Sequence, residues 1–140
     1  MAASSSSSVE FPLGKFELYK SGGCAEYIAA KKADFPNYTD LDKLTAEIKV
    51  GSTRGTFTIE KNTTTKHLVY ENMQMNEPFE AEGLDSMKET VILMFSAEDY
   101  LMEVHGSGDH DAEVYKYHYK DGKMDMEMVY DHKSCHFLTK

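Results

Sequence analysis

Arginine is nearly absent from this chain: Arg54 stands alone against fourteen lysines in 140 residues. Any chemistry that needs two guanidinium groups is therefore excluded. Tryptophan is missing, and only three prolines and two cysteines occur. Cys24 and Cys135 are too few to staple a domain of this length, and the N-terminus lacks the apolar stretch of a secretory signal. The composition accordingly reads as a reduced, cytoplasmic protein. No apolar run approaches the ~20 residues that a helix needs to cross a bilayer. Positive charge is in deficit, with a formal net charge of -9. That argues against nucleic acid as a partner, because phosphate binding calls for clustered Lys and Arg. An anionic membrane would repel the chain too, leaving at most weak membrane contact.

What is present is the patterning of one domain. Residues 1–10, serine-rich and unable to bury surface, predict a disordered leader ahead of a single domain over 11–140. Gly14 to Tyr19 alternates weakly, with Phe16 and Leu18 on one side, and Ser21-Gly-Gly23 breaks that first strand. Cys24 to Lys32 is rich in Ala, with Tyr27, Ile28 and Lys31 at helical spacing and Ser21 available as a cap. Phe35-Pro36-Asn37 ends this helix, and Thr39 to Lys43, acidic first and basic last, predicts a second short one. From Leu44 the period changes to two: Leu44, Ala46, Ile48 and Val50 share a face, then Phe57 and Ile59. Lys66 to Met75, Glu89 to Phe95 and a stripe of Tyr100, Met102 and Val104 extend the series.

The sharpest pattern lies between Val114 and Val129. Tyr115, Tyr117 and Tyr119 alternate with polar residues, Asp121-Gly122 turns the chain, and Met124, Met126 and Met128 alternate in the same way. Only a β-hairpin puts both stripes on one face. Leu, Ile and Val are the usual filling of a sealed core. A wall of phenols and adaptable thioethers suits a lined cavity at least as well. One strand, two short helices and a run of tightly joined strands describe an antiparallel meander, which removes its edges by closing into a barrel.

Gly14-Lys-Phe-Glu-Leu18 with Tyr27 soon after, Asp121-Gly-Lys123 before the penultimate strand, and an end just past the last strand resemble the intracellular lipid-binding proteins. These are the fatty-acid-binding and cellular retinoid-binding proteins of the calycin group, and the resemblance runs from Phe11 to Lys140. It implies an all-β, ten-stranded antiparallel up-and-down β-barrel with a two-helix lid after the first strand. The expected function is non-covalent carriage of a small hydrophobic ligand inside the barrel, by a monomer expected to need no cofactor or metal. The ligand-binding residues expected on this reading are Phe16, Tyr27, Ile28, Phe57, Met102, Tyr115, Tyr117, Tyr119, Met124, Met126, Met128, His136 and Leu138. Phe16 stands where the family usually has Trp. Relatives that hold fatty acids commonly clamp the carboxylate with one Arg before the Asp-Gly turn and an Arg-x-Tyr on the last strand. Aligned by motif, those positions are Tyr117, His136 and Leu138, so the clamp is missing. A buried carboxylate without a cationic partner is disfavoured, whereas tyrosine hydroxyls suit a neutral oxygen. A retinoid, carotenoid, sterol or tetrapyrrole fits that chemistry better, with a head-outward fatty acid as a further option. Other readings are a pigment or chromophore protein with an optical role, and a structural or stress-protective barrel without a dedicated ligand.

Two constellations carry less. Asp109-x-Asp111-x-Glu113 begins like a calcium loop but has Val114 where a glycine is needed, so a solvated tip is the expected reading. Asp131-His132-Lys-Ser134-Cys135-His136 holds nucleophile and base. Alternation nevertheless separates Cys135 from His136, and no glycine elbow accompanies Ser134, so no catalytic residue is assigned. Cys24 at a helix start, with a lowered pKa, would be a redox site, against a plain packed residue. Lys31, Lys32 and Lys43 read as a solvated lid face.

Overall fold

A computed structural model describes residues 12–36, 38, 41–84, 87–96, 100–106, 112–121 and 123–139. Eleven strands and one helix occur among them: β1 (Gly14–Glu17), β2 (Tyr19–Gly22), α1 (Cys24–Asp34), β3 (Thr45–Val50), β4 (Thr56–Asn62), β5 (His67–Gln74), β6 (Phe79–Glu82), β7 (Lys88–Phe95), β8 (Leu101–Gly106), β9 (Glu113–Lys120), β10 (Lys123–Tyr130) and β11 (Lys133–Leu138). They form a four-stranded sheet, β1-β3-β4-β5, and a seven-stranded sheet, β2-β11-β10-β9-β8-β7-β6, antiparallel throughout. β1 and β2 are separated only by Leu18, whose N–H bonds to the Leu44 carbonyl. One bent strand thus feeds both sheets. At the other seam side chains bridge β5 and β6: Tyr70 donates to the Glu82 carbonyl at 2.7 Å, and Lys66 pairs with the Glu82 carboxylate at 2.6 Å.

The hairpin of tyrosines and methionines forms as its alternation requires. Tyr115, Tyr117 and Tyr119 stand opposite Met128, Met126 and Met124, and all but the half-buried Tyr119 are buried. His118 and Asp125 face outward. Asp131 and His132 both take left-handed φ, 50° and 62°, the signature of a two-residue turn that matches strand twist. That turn fixes the register of β10 and β11 and sends Cys135 and Phe137 inward, with His136 and Leu138 outward.

The lid differs from expectation. α1 is capped at Gly23, not Ser21, and no side chain caps it. Gly23 has φ 77°, and a Cβ there would collide with the Ser134 carbonyl of β11, so only glycine fits this entry to the helix. Residues 39–40 of the expected second helix lie outside the described residues. Leu41 and Lys43 have left-handed φ, 65° and 56°, which no α-helix accepts. Tyr38, Leu41 and Leu44 are all buried, and burial of these side chains shapes a folded-back turn. The serine-rich leader also lies outside the described residues.

The cysteines correct the redox reading. Cys24 and Cys135 form a disulfide across a sequence separation of 111. The β2–β11 pairing sets Gly22 opposite His136 and so places the first residue of α1 over the last strand. That juxtaposition is tertiary and could not be read from spacing. The premise of unpaired thiols, on which a cytoplasmic location rested, falls with it, as does a reactive Cys24. Among the described residues no helix is long and apolar enough to cross a membrane.

Candidate functional site

Between the two sheets, beside the Tyr and Met wall, runs a strip of buried ionisable groups. In antiparallel pairing β8 lies against β9, with Leu101 opposite Tyr117, Glu103 opposite Tyr115 and His105 opposite Glu113. Period two then turns Leu101, Glu103 and His105 inward. The neighbouring strand β7 contributes Glu89, and across the interior β4 contributes Lys61; all are nearly inaccessible. The absent side chain at Gly83 leaves the space that the Glu89 carboxylate fills.

These groups are tied to one another. Lys61 Nζ forms an ion pair with Glu103 Oε2. His105 donates from Nε2 to the same oxygen at 2.5 Å and from Nδ1 to Glu89 Oε1 at 2.7 Å. Tyr117 donates to Glu103 Oε1 at 2.6 Å. An imidazole with a carboxylate on each nitrogen must donate from both, which requires the charged form. Burial pulls His105 downward, but the Glu103 charge and the hydrogen bonds to Glu103 and Glu89 outweigh it and raise its pKa. Burial likewise pushes the Glu103 carboxyl up, yet Lys61 and His105 together bring it down from 4.5 to about 2. Lys61 ends below its usual value because desolvation exceeds the pull of Glu103. Two cations and two carboxylates therefore neutralise each other, and the Tyr70 and Tyr115 rings lie 4.6 and 5.0 Å from the Lys61 ammonium.

A second pair joins α1 to β9. Lys31 Nζ reaches Glu113 Oε1 at 2.9 Å, with 1% and 4% of the side chains exposed, and is ringed by Phe35, Tyr38 and Tyr130 at 4.4, 5.2 and 4.3 Å. Tyr115 donates to the same Glu113 oxygen at 3.3 Å. Burial drives Glu113 well above the usual carboxylate range, with the Tyr115 hydrogen bond acting the other way. Glu113 points inward from a strand, so it does not serve as a loop ligand for calcium; residues 107–111 lie outside the described residues. Above this pair Tyr27 and Tyr38 share a hydrogen bond of 3.1 Å, and Tyr130 donates to Asp34 at 2.5 Å.

Of the expected binding residues, Phe16, Tyr27, Tyr115, Tyr117, Met124, Met126 and Met128 belong to the buried interior. Ile28, Phe57 and Tyr119 pack against it half-buried, and Tyr119 meets Phe16 edge to face. His136 and Leu138 are corrected: both lie on the outer face of β11, Leu138 at 47% exposure. The register of β10 with β11 puts Cys135 and Phe137 on the inner face, and a slip of one residue exchanges the faces of a strand. On β11 the buried position between His136 and Leu138 is Phe137, so no arginine stands there. Met102 is corrected for the same reason, because Leu101, Glu103 and His105 hold the inner register of β8. Lys31 is buried, not solvated.

Sequence reasoning missed Lys31, Lys61, Glu89, Glu103, His105 and Glu113. One signal was available: Glu113 is two residues before Tyr115, hence on the same strand face. The remaining polar residues needed the pairing register.

No family model matches the chain. Among curated proteins, fatty acid-binding protein homolog 3 of Caenorhabditis elegans is 28% identical over 141 aligned positions, covering 96% of this chain and 84% of that protein. Among solved structures, As-p18, described as an extracellular fatty acid binding protein, superposes with a TM-score of 0.75 at 22% identity, covering 91% of this chain and 94% of the other. Fatty-acid-binding protein 1 of Echinococcus granulosus gives 0.76 at 15% identity over 92% and 96%. Human cRBP IV gives 0.74 at 20% identity over 94% and 98%. The resemblance read from Gly14-Lys-Phe-Glu-Leu18 and Asp121-Gly-Lys123 is thus borne out in sequence and fold.

Proposed function

We propose that this chain, similar in sequence to a fatty acid-binding protein and in fold to several, binds one small hydrophobic molecule in its interior and carries it without covalent chemistry. The observation that carries the reading is the inward wall of Tyr115, Tyr117, Met124, Met126 and Met128 on the hairpin β9–β10. Thioethers and phenols give an adaptable apolar surface, and burial of apolar ligand surface at ~25 cal/mol per Å² supplies affinity without a salt bridge. Counting β1 and β2 as one bent strand gives ten strands, which we take as one barrel in a single domain over 11–140, acting as a monomer. The relatives are named as fatty acid-binding proteins, which favours carriage over catalysis.

Native mass spectrometry of the purified protein, followed by solvent extraction, tests the reading. A one-to-one adduct that disappears on extraction and returns with added lipid is the expected result. Failure of any long-chain lipid to bind, or to displace an uncharged solvatochromic dye, refutes carriage.

A further inference from the structure

Within the strip of buried polar groups one atom stands apart. Among the described residues, Glu113 Oε2 is the buried side-chain oxygen without a hydrogen-bond partner, on a residue only 3% exposed. Such an atom costs ~1–3 kcal/mol unless something completes it. The cations nearby are committed: Lys31 to Glu113 Oε1, Lys61 to Glu103, and His105 to Glu103 and Glu89. What completes Oε2 must therefore come from outside this network.

We propose that Glu113, steadied by Lys31 of α1 and by Tyr115, is a head-group subsite that takes the hydroxyl of an uncharged lipid in preference to the carboxylate of an ionised fatty acid. This rests on the carrier reading above. A hydroxyl both donates and accepts, so it satisfies Oε2 whether or not the Glu113 carboxyl holds a proton. A carboxylate ligand only accepts. It would have to share the one proton of Glu113 or, with that proton gone, set a second anionic oxygen against it in a low-dielectric interior where Lys31 is already engaged.

The test is displacement of Nile red by hexadecanol and by hexadecanoate at neutral pH, chains of equal length that differ only in the head. The alcohol is expected to displace the dye at about a tenfold lower concentration, a difference of ~1.4 kcal/mol. In Glu113→Gln the amide can donate to a carboxylate, and the gap should close. Glu127→Gln, on the outer side of β10, should leave the gap in place. Equal displacement in the unaltered protein, tighter binding of the acid, or a gap that survives Glu113→Gln overturns the subsite while leaving carriage standing. Displacement by neither lipid overturns carriage and the subsite together. The comparison in the unaltered protein decides the matter even if the variant fails to fold.

Discussion

Lys61→Met should be among the most destabilising single changes in this barrel. Lys61 and Glu103 have side-chain exposures of 1% and 0%, so removing the ammonium leaves a carboxylate with only His105 at 2.5 Å and Tyr117 at 2.6 Å to stabilise it. Breaking a buried pair from one side costs ~3–5 kcal/mol. Against burial, Lys61 and His105 together hold Glu103 from 4.5 down to about 2, a depression worth about 3 kcal/mol at ~1.36 kcal/mol per pH unit. Because the folded value is depressed, this stabilisation is present above pH 4.5 and lost as the pH falls through about 2. In Lys61→Met the foremost cause of that depression is gone. The gap between the two proteins should then be widest at neutral pH and narrow on acidification toward 2. Urea unfolding across that range measures it, and Lys61→Met/Glu103→Gln, which removes the stranded charge, should lose less than Lys61→Met alone. A loss under ~1 kcal/mol at neutral pH, or one independent of pH, would refute the claim that the pair is buried and charged.

Three further outcomes follow from the same contacts. Reducing the Cys24–Cys135 bond, or Cys24→Ser, should lower stability by ~2–5 kcal/mol, since the bond spans most of the chain; unfolding curves identical with and without reductant would contradict it. The His105 imidazole should remain protonated at neutral pH in an NMR titration, its pKa raised above 6.5 chiefly by Glu103 against the opposing effect of burial. Its contribution to stability is accordingly complete below pH 6.5 and lost as pH rises through the folded value, so a neutral imidazole at pH 7 is the failing result. Tyr117→Phe should cost ~1.5–3 kcal/mol of stability through loss of the bond to Glu103, while the affinity for a hydroxyl lipid shifts little; a selective loss of that affinity would place the head group at Tyr117 and not at Glu113.

Strand alternation made the hairpin legible, because Tyr115 to Tyr119 and Met124 to Met128 state their faces without help from the rest of the fold. α1 was legible through its helical spacing and Phe35-Pro36. Other elements were not. Phe79 to Glu82 forms β6 on an alternation only four residues long, with alanine as its second apolar side chain, and it pairs with β7 in the meander. The second helix failed because Thr39 to Lys43 carries helix-like charges, yet its neighbours Tyr38, Leu41 and Leu44 compete for burial, and Leu41 and Lys43 adopt left-handed backbone.

The site was half legible, for a reason rooted in hydrophobic reading itself. Tyr100, Met102 and Val104 look like the inner stripe of β8, whereas the pairing that seats Leu101 on Tyr117 and His105 on Glu113 turns the charged stripe inward. Apolar periodicity assumes that charge seeks water, and that assumption fails where charges satisfy one another. Glu103 with Lys61, His105 with Glu89 and Lys31 with Glu113 do so across four strands and a helix. Each partner is unremarkable in its own segment, and burial becomes tolerable only once the other is in place. A polar interior assembled from matched pairs is therefore hidden from any reading one strand at a time. Among the described residues the one place where the matching is incomplete is Glu113 Oε2, and that is where the proposed ligand would have something left to contribute.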